Sequence, residues 1–201
     1  MPAKSGEQRL RHPRRAPSSV LRAYFLRTGD AHPAAAQAQG IAGPTKGVPL
    51  MLSLQEISDR LEIEDLLVRY SDAVDRQDWE AFAQVFTADA VVDYTEMGGP
   101  SGGVTEIVRF LEATLPGFAC TQHLVANTVL SVDGDTATAR TICHNPMVID
   151  RGDGQTHVLF CGLWYRDALV RTADGWRIRQ RHEERCYFHN LPEGFVPPGQ
   201  E

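Results

Sequence analysis

Three side chains in this 201-residue sequence could together move a proton beside a carbonyl: the phenol of Tyr70, the carboxylate of Asp75 and the imidazole of His123. A histidine can take the proton, a carboxylate can hold the ring in one tautomer and support its charged form, and a phenol can donate a hydrogen bond to the enolate that results. Asn127 and His144 are candidates to orient a substrate. Each residue also has a plainer reading. Tyr70 could be a core aromatic with its hydroxyl satisfied, Asp75 a helix-linking turn residue and His123 a satisfied strand residue. His182 precedes Glu183-Glu184-Arg185, the pattern of an ordinary surface charge cluster.

The elements that must position these groups lie in one part of the chain. Residues 1–50 carry eight Lys and Arg against Glu7 and Asp30, a net +6, whereas residues 51–201 carry 12 Arg against 24 acids, a net −12. The first stretch is rich in Pro, Ala and Gly, and its one apolar island, Val20 to Leu26, offers too little burial to offset the entropy of ordering it. It reads as a flexible, dispensable extension. The island is shorter than a secretory core and far short of a membrane span. A basic arm for nucleic acid is disfavoured by the acidic body behind it. No nucleic acid, no membrane and a cytoplasmic setting are therefore expected. Residues 51–190 are the size of one domain, with 191–201 as a tail.

Some chemistry is excluded outright. No lysine follows residue 50, so a Schiff base, a pyridoxal phosphate anchor or a phosphate-loop lysine has no place in the folded part. Cys120, Cys143, Cys161 and Cys186 show no C-x-x-C spacing and read as buried free thiols. His123, His144, His157 and His182 lie on neighbouring strands without a ligand spacing such as H-E-x-x-H, so neither a metal nor any other cofactor is expected.

Ser53-Leu54-Gln55-Glu56 is a capping box that opens a helix. Ile57, Leu61, Ile63, Leu66, Leu67, Tyr70 and Val74 give it one apolar stripe to about residue 76. Tyr70 lies on the stripe; Asp75 reaches the same pocket only if the helix ends there. Asp78 caps a short second helix through Phe86, and 90–95 is a strand. Gly98 to Gly103 reads as a loop, a lid or pocket rim, followed by a third helix from Ile107 to Leu115. Four β-rich runs close the domain, 119–132, 135–149, 156–172 and 175–188, joined by Asp-Gly turns that predict an antiparallel meander. Alternation puts His123, Val125, Asn127 and Val129 on one face. In the last run it puts Trp176, Ile178, Gln180 and His182 toward the core and Arg177, Arg179 and Arg181 on the other side.

Leu67-Val68-Arg69-Tyr70, Ala73-Val74-Asp75, Asp78-Trp79, Phe86-Thr87-Ala88-Asp89-Ala90 and Asp93-Tyr94 resemble the first half of the SnoaL-like branch of the nuclear transport factor 2-like superfamily. His123 with Asn127, Gly134-Asp135-Thr136-Ala137, Gly162-Leu163-Trp164-Tyr165 and Asp174-Gly175-Trp176-Arg177-Ile178 continue the likeness over roughly residues 53–188. The resemblance implies an α+β fold in which a cone-shaped, curved antiparallel sheet and three helices enclose an apolar pocket. It also implies a homodimer or homotrimer. Tyr70, Asp75 and His123 look like the catalytic residues of bile-acid 7α-dehydratase and scytalone dehydratase in that superfamily, and His144 resembles the second histidine of the scytalone enzyme.

Residues and resemblance together lead to one expectation. It is a cofactor-independent dehydratase or isomerase acting on a small hydrophobic, carbonyl-containing ring compound, steroid- or polyketide-like, by histidine acid/base catalysis with tyrosine stabilising the enolate. A non-catalytic small subunit or ligand-binding protein, or a polyketide cyclase or epoxide hydrolase, are the alternatives this fold leaves open.

Overall fold

The computed structural model describes residues 51–193, so the expectation for residues 1–50 and most of that for 191–201 lie outside the described residues. Helix α1 spans Leu54–Asp75, and both halves of the predicted capping box form: Ser53 Oγ accepts from the Glu56 amide, and the Glu56 carboxylate accepts from the Ser53 amide. Its buried stripe is shorter than the sequence suggests. Ile63, Leu66, Leu67, Tyr70, Ala73 and Val74 face the core, while Ile57 and Leu61 are exposed. The first half of α1 is held by a polar contact instead: the buried Asp59 carboxylate accepts from Trp176 Nε1 at 3.2 Å and pairs with Arg171 at 2.7 Å.

Asp78 Oδ1 caps α2 (Trp79–Gln84) by accepting from the Ala81 amide. Strand β1 runs Phe86–Asp93, starting four residues before the expected 90 because Phe86 pairs with Ile178 and leaves the helix. The glycine-rich segment after it is not wholly loop. Ser101–Gly103 forms β2, antiparallel to β1, and runs straight into α3 (Val104–Thr114).

The predicted first long strand is broken in two. β3 is Cys120–Thr121 and β4 is Leu124–Asp133; both pair with β5 (Thr136–Asp150), and Gln122 and His123 lie in the gap between them. β6 (Thr156–Thr172) and β7 (Gly175–His189) complete the meander, whose tight β4–β5 and β6–β7 turns hold Gly134 and Gly175 at positive φ, +57° and +94°. The sheet order is β2-β1-β7-β6-β5-β3, with β4 also on β5, and β1 lies parallel to β7. The result is a mixed α+β fold in which a curled, open, seven-stranded sheet packs its concave face on three helices.

Two register slips in the β6–β7 pair decide what faces inward. Ala168 pairs with Gln180 but Leu169 pairs with Ile178, so Arg179 is an extra residue, and Cys186 is another between Arg185 and Tyr187. A one-residue bulge reverses every side chain beyond it. Trp176 and Ile178 face the core as expected, yet after the bulge Arg181 and Glu183 turn inward and Gln180 and His182 turn out. His182 meets Glu96 and Asp93 on the outside. The expectation of an inward His182 and an outward Arg181 is thus reversed.

All four cysteines are free; Cys143 and Cys161 are buried, while Cys120 and Cys186 are exposed, contrary to expectation. No helix among the described residues is long and apolar enough to cross a membrane.

Candidate active site

Asp75 is the last residue of α1, which is the condition its side chain needs to reach the interior. The chain turns away immediately after it: Gln77 takes φ +56° and the Asp78 amide donates back to the Ala73 carbonyl. The freed carboxylate points into the gap between β3 and β4, where it accepts three hydrogen bonds. Oδ1 takes the Thr121 hydroxyl at 2.9 Å and His123 Nδ1 at 2.6 Å, and Oδ2 takes the His123 amide at 2.8 Å. Burial alone pushes the Asp75 pKa up, but these bonds and the ring beside it hold the carboxyl below its ordinary range. The acid is therefore ionised at neutral pH, and Nδ1 must carry the hydrogen that it accepts.

That assignment leaves the Nε2 lone pair of the neutral ring pointing away from the helix. Asn145, directly across on β5, donates Nδ2–H to it at 2.9 Å. The His123 side chain is 9% exposed, shielded from bulk water but not sealed. Asn145 is buried, and its Oδ1 has no partner among the described residues.

Tyr70 stands on the same interior surface, fully buried, with its ring against Phe82, Phe86 and Tyr165. Its hydroxyl shares a hydrogen bond with the Tyr94 hydroxyl. The guanidinium of Arg181 lies 3.9 Å from the Tyr70 ring and 4.1 Å from that of Tyr165, clamped by two 2.8 Å bonds to Asp167. Burial raises the Tyr70 pKa far above its ordinary value, against the pull of Arg181, so the phenol is a neutral donor. Tyr165 pairs with Thr141 on β5, whose inner face also carries Cys143 and Asn145. No hydrogen bond or ring contact among the described residues links Tyr70 to Asp75 or His123; its ring packs on Tyr165, which shares the concave face with Asn145, the partner of His123.

Two predicted residues fall outside this group. Asn127 is exposed at φ +51°, inside a register slip of β4 that takes it off the His123 face. His144 occupies the outer face of β5, where Nδ1 meets the Tyr187 hydroxyl at 3.0 Å and the ring stacks on Phe160. Its neighbour Asn145 takes the inward position. The sequence held the signal for this: Arg140, an even-numbered residue of β5, marks the solvated face, which puts Asn145 with Ala137, Ala139 and Cys143 inside. Thr121, Tyr94 and Arg181 were likewise not singled out for the site.

A surface depression of about 680 Å³ lies between the start of α1 and the β4–β5 turn, lined by Glu56, Asp59, Asp133, Asp135 and Arg171 among others. It shares no residue with the dyad.

Residues 55–182 match the SnoaL-like domain. The chain belongs to the SnoaL-like family. Within it, the chain is 51% identical over 137 residues to the uncharacterized protein Rv2910c of Mycobacterium tuberculosis, covering 68% of this chain and 92% of that one. Solved structures resemble this SnoaL-like chain closely in fold. The Kfla4162 protein of Kribbella flavida superimposes with TM-score 0.61 at 27% identity, over 67% of this chain and 95% of its own. A proposed scytalone dehydratase of Novosphingobium aromaticivorans gives 0.60 at 19%, over 73% and 96%. The type 2 hexachlorocyclohexane dehydrochlorinase LinA gives 0.60 at 21%, over 73% and 98%. At those last two identities the likeness establishes the shared fold of these SnoaL-like relatives and nothing finer.

Proposed function

We propose that this SnoaL-like protein is a cofactor-independent lyase or isomerase that abstracts a proton next to a carbonyl in a small hydrophobic ring compound, steroid- or polyketide-like. The observation that carries this is the Asp75–His123–Asn145 array: an ionised carboxylate on Nδ1 and an inward-facing lone pair on Nε2. His123 Nε2 takes the α-proton, displacing the Asn145 amide as substrate enters. Asp75 holds the tautomer and supports the charged ring. Tyr70, neutral and backed by Arg181, donates to the oxygen on which charge develops, and the apolar rings of Phe82 and Phe86 packed against it strengthen that bond by excluding water. The electron pair then either expels a β-hydroxyl, as in dehydration, or is reprotonated elsewhere, as in isomerisation. Elimination is also the reaction in the names of two structural neighbours, a proposed dehydratase and a dehydrochlorinase.

The test is α-proton exchange from β-hydroxy ketones in heavy water, followed by NMR, for the parent and for Tyr70→Phe, Asp75→Asn and His123→Ala. Three variants that exchange as fast as the parent would end this reading, and a parent inert on every ketone would favour a ligand-binding role for the protein. The chain is further proposed to act in the cytoplasm as a homodimer or homotrimer. Support for assembly comes from the outer face of the sheet, where Leu124, Val129 and Tyr187 are 60%, 71% and 44% exposed.

A further inference from the structure

The interior holds a second ionisable group that the dyad does not use. Glu183 lies on the concave face of β7, in register with Tyr165 and two residues beyond Arg181, and is more than nine-tenths buried. Its near neighbour Arg181 gives two hydrogen bonds to Asp167, and no hydrogen bond or salt bridge among the described residues reaches the Glu183 carboxyl. Burying a carboxyl without a partner is costly, and a fold keeps such a group where a ligand or a reaction uses it. Two further unpartnered polar atoms, the Tyr165 hydroxyl and Arg181 Nη1, belong to the residues beside it. Sheet register ties Glu183 to the dyad: it pairs with Tyr165 and Tyr165 with Thr141, which shares the inner face of β5 with Cys143 and Asn145, the partner of His123.

We infer that Glu183 is the general acid of the reaction, delivering its proton to the departing oxygen while His123 acts as the base; this rests on the proton-abstraction reading above. The atoms balance as follows. His123 Nε2 takes the α-hydrogen, and the C–H pair becomes the enolate. The Cβ–O bond then breaks as the Glu183 O–H proton moves to that oxygen, the enolate pair closes the Cα=Cβ bond, and water leaves. The ring is left as imidazolium and Glu183 as carboxylate, and one proton passed between them through water restores both. Burial, opposed by Arg181 and reinforced by Asp93 and Asp167, lifts the Glu183 pKa to about 8, which supports this role by keeping the acid protonated at neutral pH. Separate acid and base spare His123 from serving both faces of the substrate.

The experiment follows a panel of β-hydroxy decalones and their β-acetoxy counterparts in heavy water, with parent, Glu183→Gln and His123→Ala. Acetate departs as an anion and needs no acid, whereas hydroxide does. The expected result is that Glu183→Gln loses elimination of water by about 10²-fold or more, retains α-exchange, and still eliminates acetate; His123→Ala loses all three. Glu183→Gln eliminating water at the parental rate overturns the inference and leaves the dyad standing. A variant that loses acetate elimination and exchange as well overturns it too, because the residue then supports the fold or the base and not the leaving group. A parent that neither exchanges nor eliminates removes the underlying reading and this inference with it.

Discussion

Asn145 on β5 faces His123 in the gap between β3 and β4, Nδ2 to Nε2 at 2.9 Å, so the amide competes with substrate for the one lone pair the reaction uses. When the ring takes a proton the amide must turn, presenting the oxygen that is now unpartnered. Asn145→Asp would put a carboxylate against Nε2, favour the charged ring and remove the free base. Its α-exchange at neutral pH is expected to fall about tenfold or more, with a smaller change for Asn145→Ala, read by NMR in heavy water.

The dyad acts as a unit, so its losses should not add. His123→Ala is expected to slow exchange by about 10²–10⁴-fold, and Tyr70→Phe by about 10²–10³-fold. Asp75→Asn combined with His123→Ala should be no slower than His123→Ala by itself, because the carboxylate works through the ring. Parallel single-turnover rates for the four proteins check this.

Arg181 and Asp167 are both buried and joined by two 2.8 Å bonds. Asp167→Asn leaves an unmatched interior guanidinium and is expected to cost about 3–5 kcal/mol in denaturant unfolding. Replacing both, Asp167→Leu with Arg181→Met, should recover most of that loss while weakening the support behind Tyr70.

Glu183 ties stability to pH. Its pKa is raised from 4.5 to about 8 on folding, so the folded state holds a proton that the unfolded state releases between those values. The stability it contributes is complete below pH about 4.5 and is lost as pH rises through about 8. Denaturant midpoints measured from pH 5 to 9 should decline with pH in the parent and flatten in Glu183→Gln; an equal slope in both would assign the trend to other groups.

The outer face offers a separate test. Leu124→Arg with Val129→Asp places opposite charges on exposed apolar positions of β4 and should convert an assembled species to monomer by light scattering, with α-exchange tracking any contribution of assembly to the site.

The residues that could be found from sequence were those whose role depends on one element. The capping box, the inward Tyr70 and a first helix running to about residue 76 follow from helical period and local capping, and the turn glycines mark the meander. What failed depended on counting along strands. Parity survives only while pairing is unbroken, and the slips at Asn127, Arg179 and Cys186 are created by partner strands far away in sequence. Asn127 and His182 were misplaced for that reason. His144 was misplaced for a different one: its strand is regular, and Arg140 on the same face would have set the phase correctly.

Because Arg179 is one residue too many for its partner strand, the identity of the charges inside the cone is fixed by an insertion rather than by any side chain. Pair that residue regularly with Ala168 instead, and every later side chain of β7 would change sides: glutamine and imidazole indoors, guanidinium and carboxyl in the rain. Deleting Arg179 outright would leave these side chains where they are, because Gln180 would still pair with Ala168 and Arg181 with Asp167.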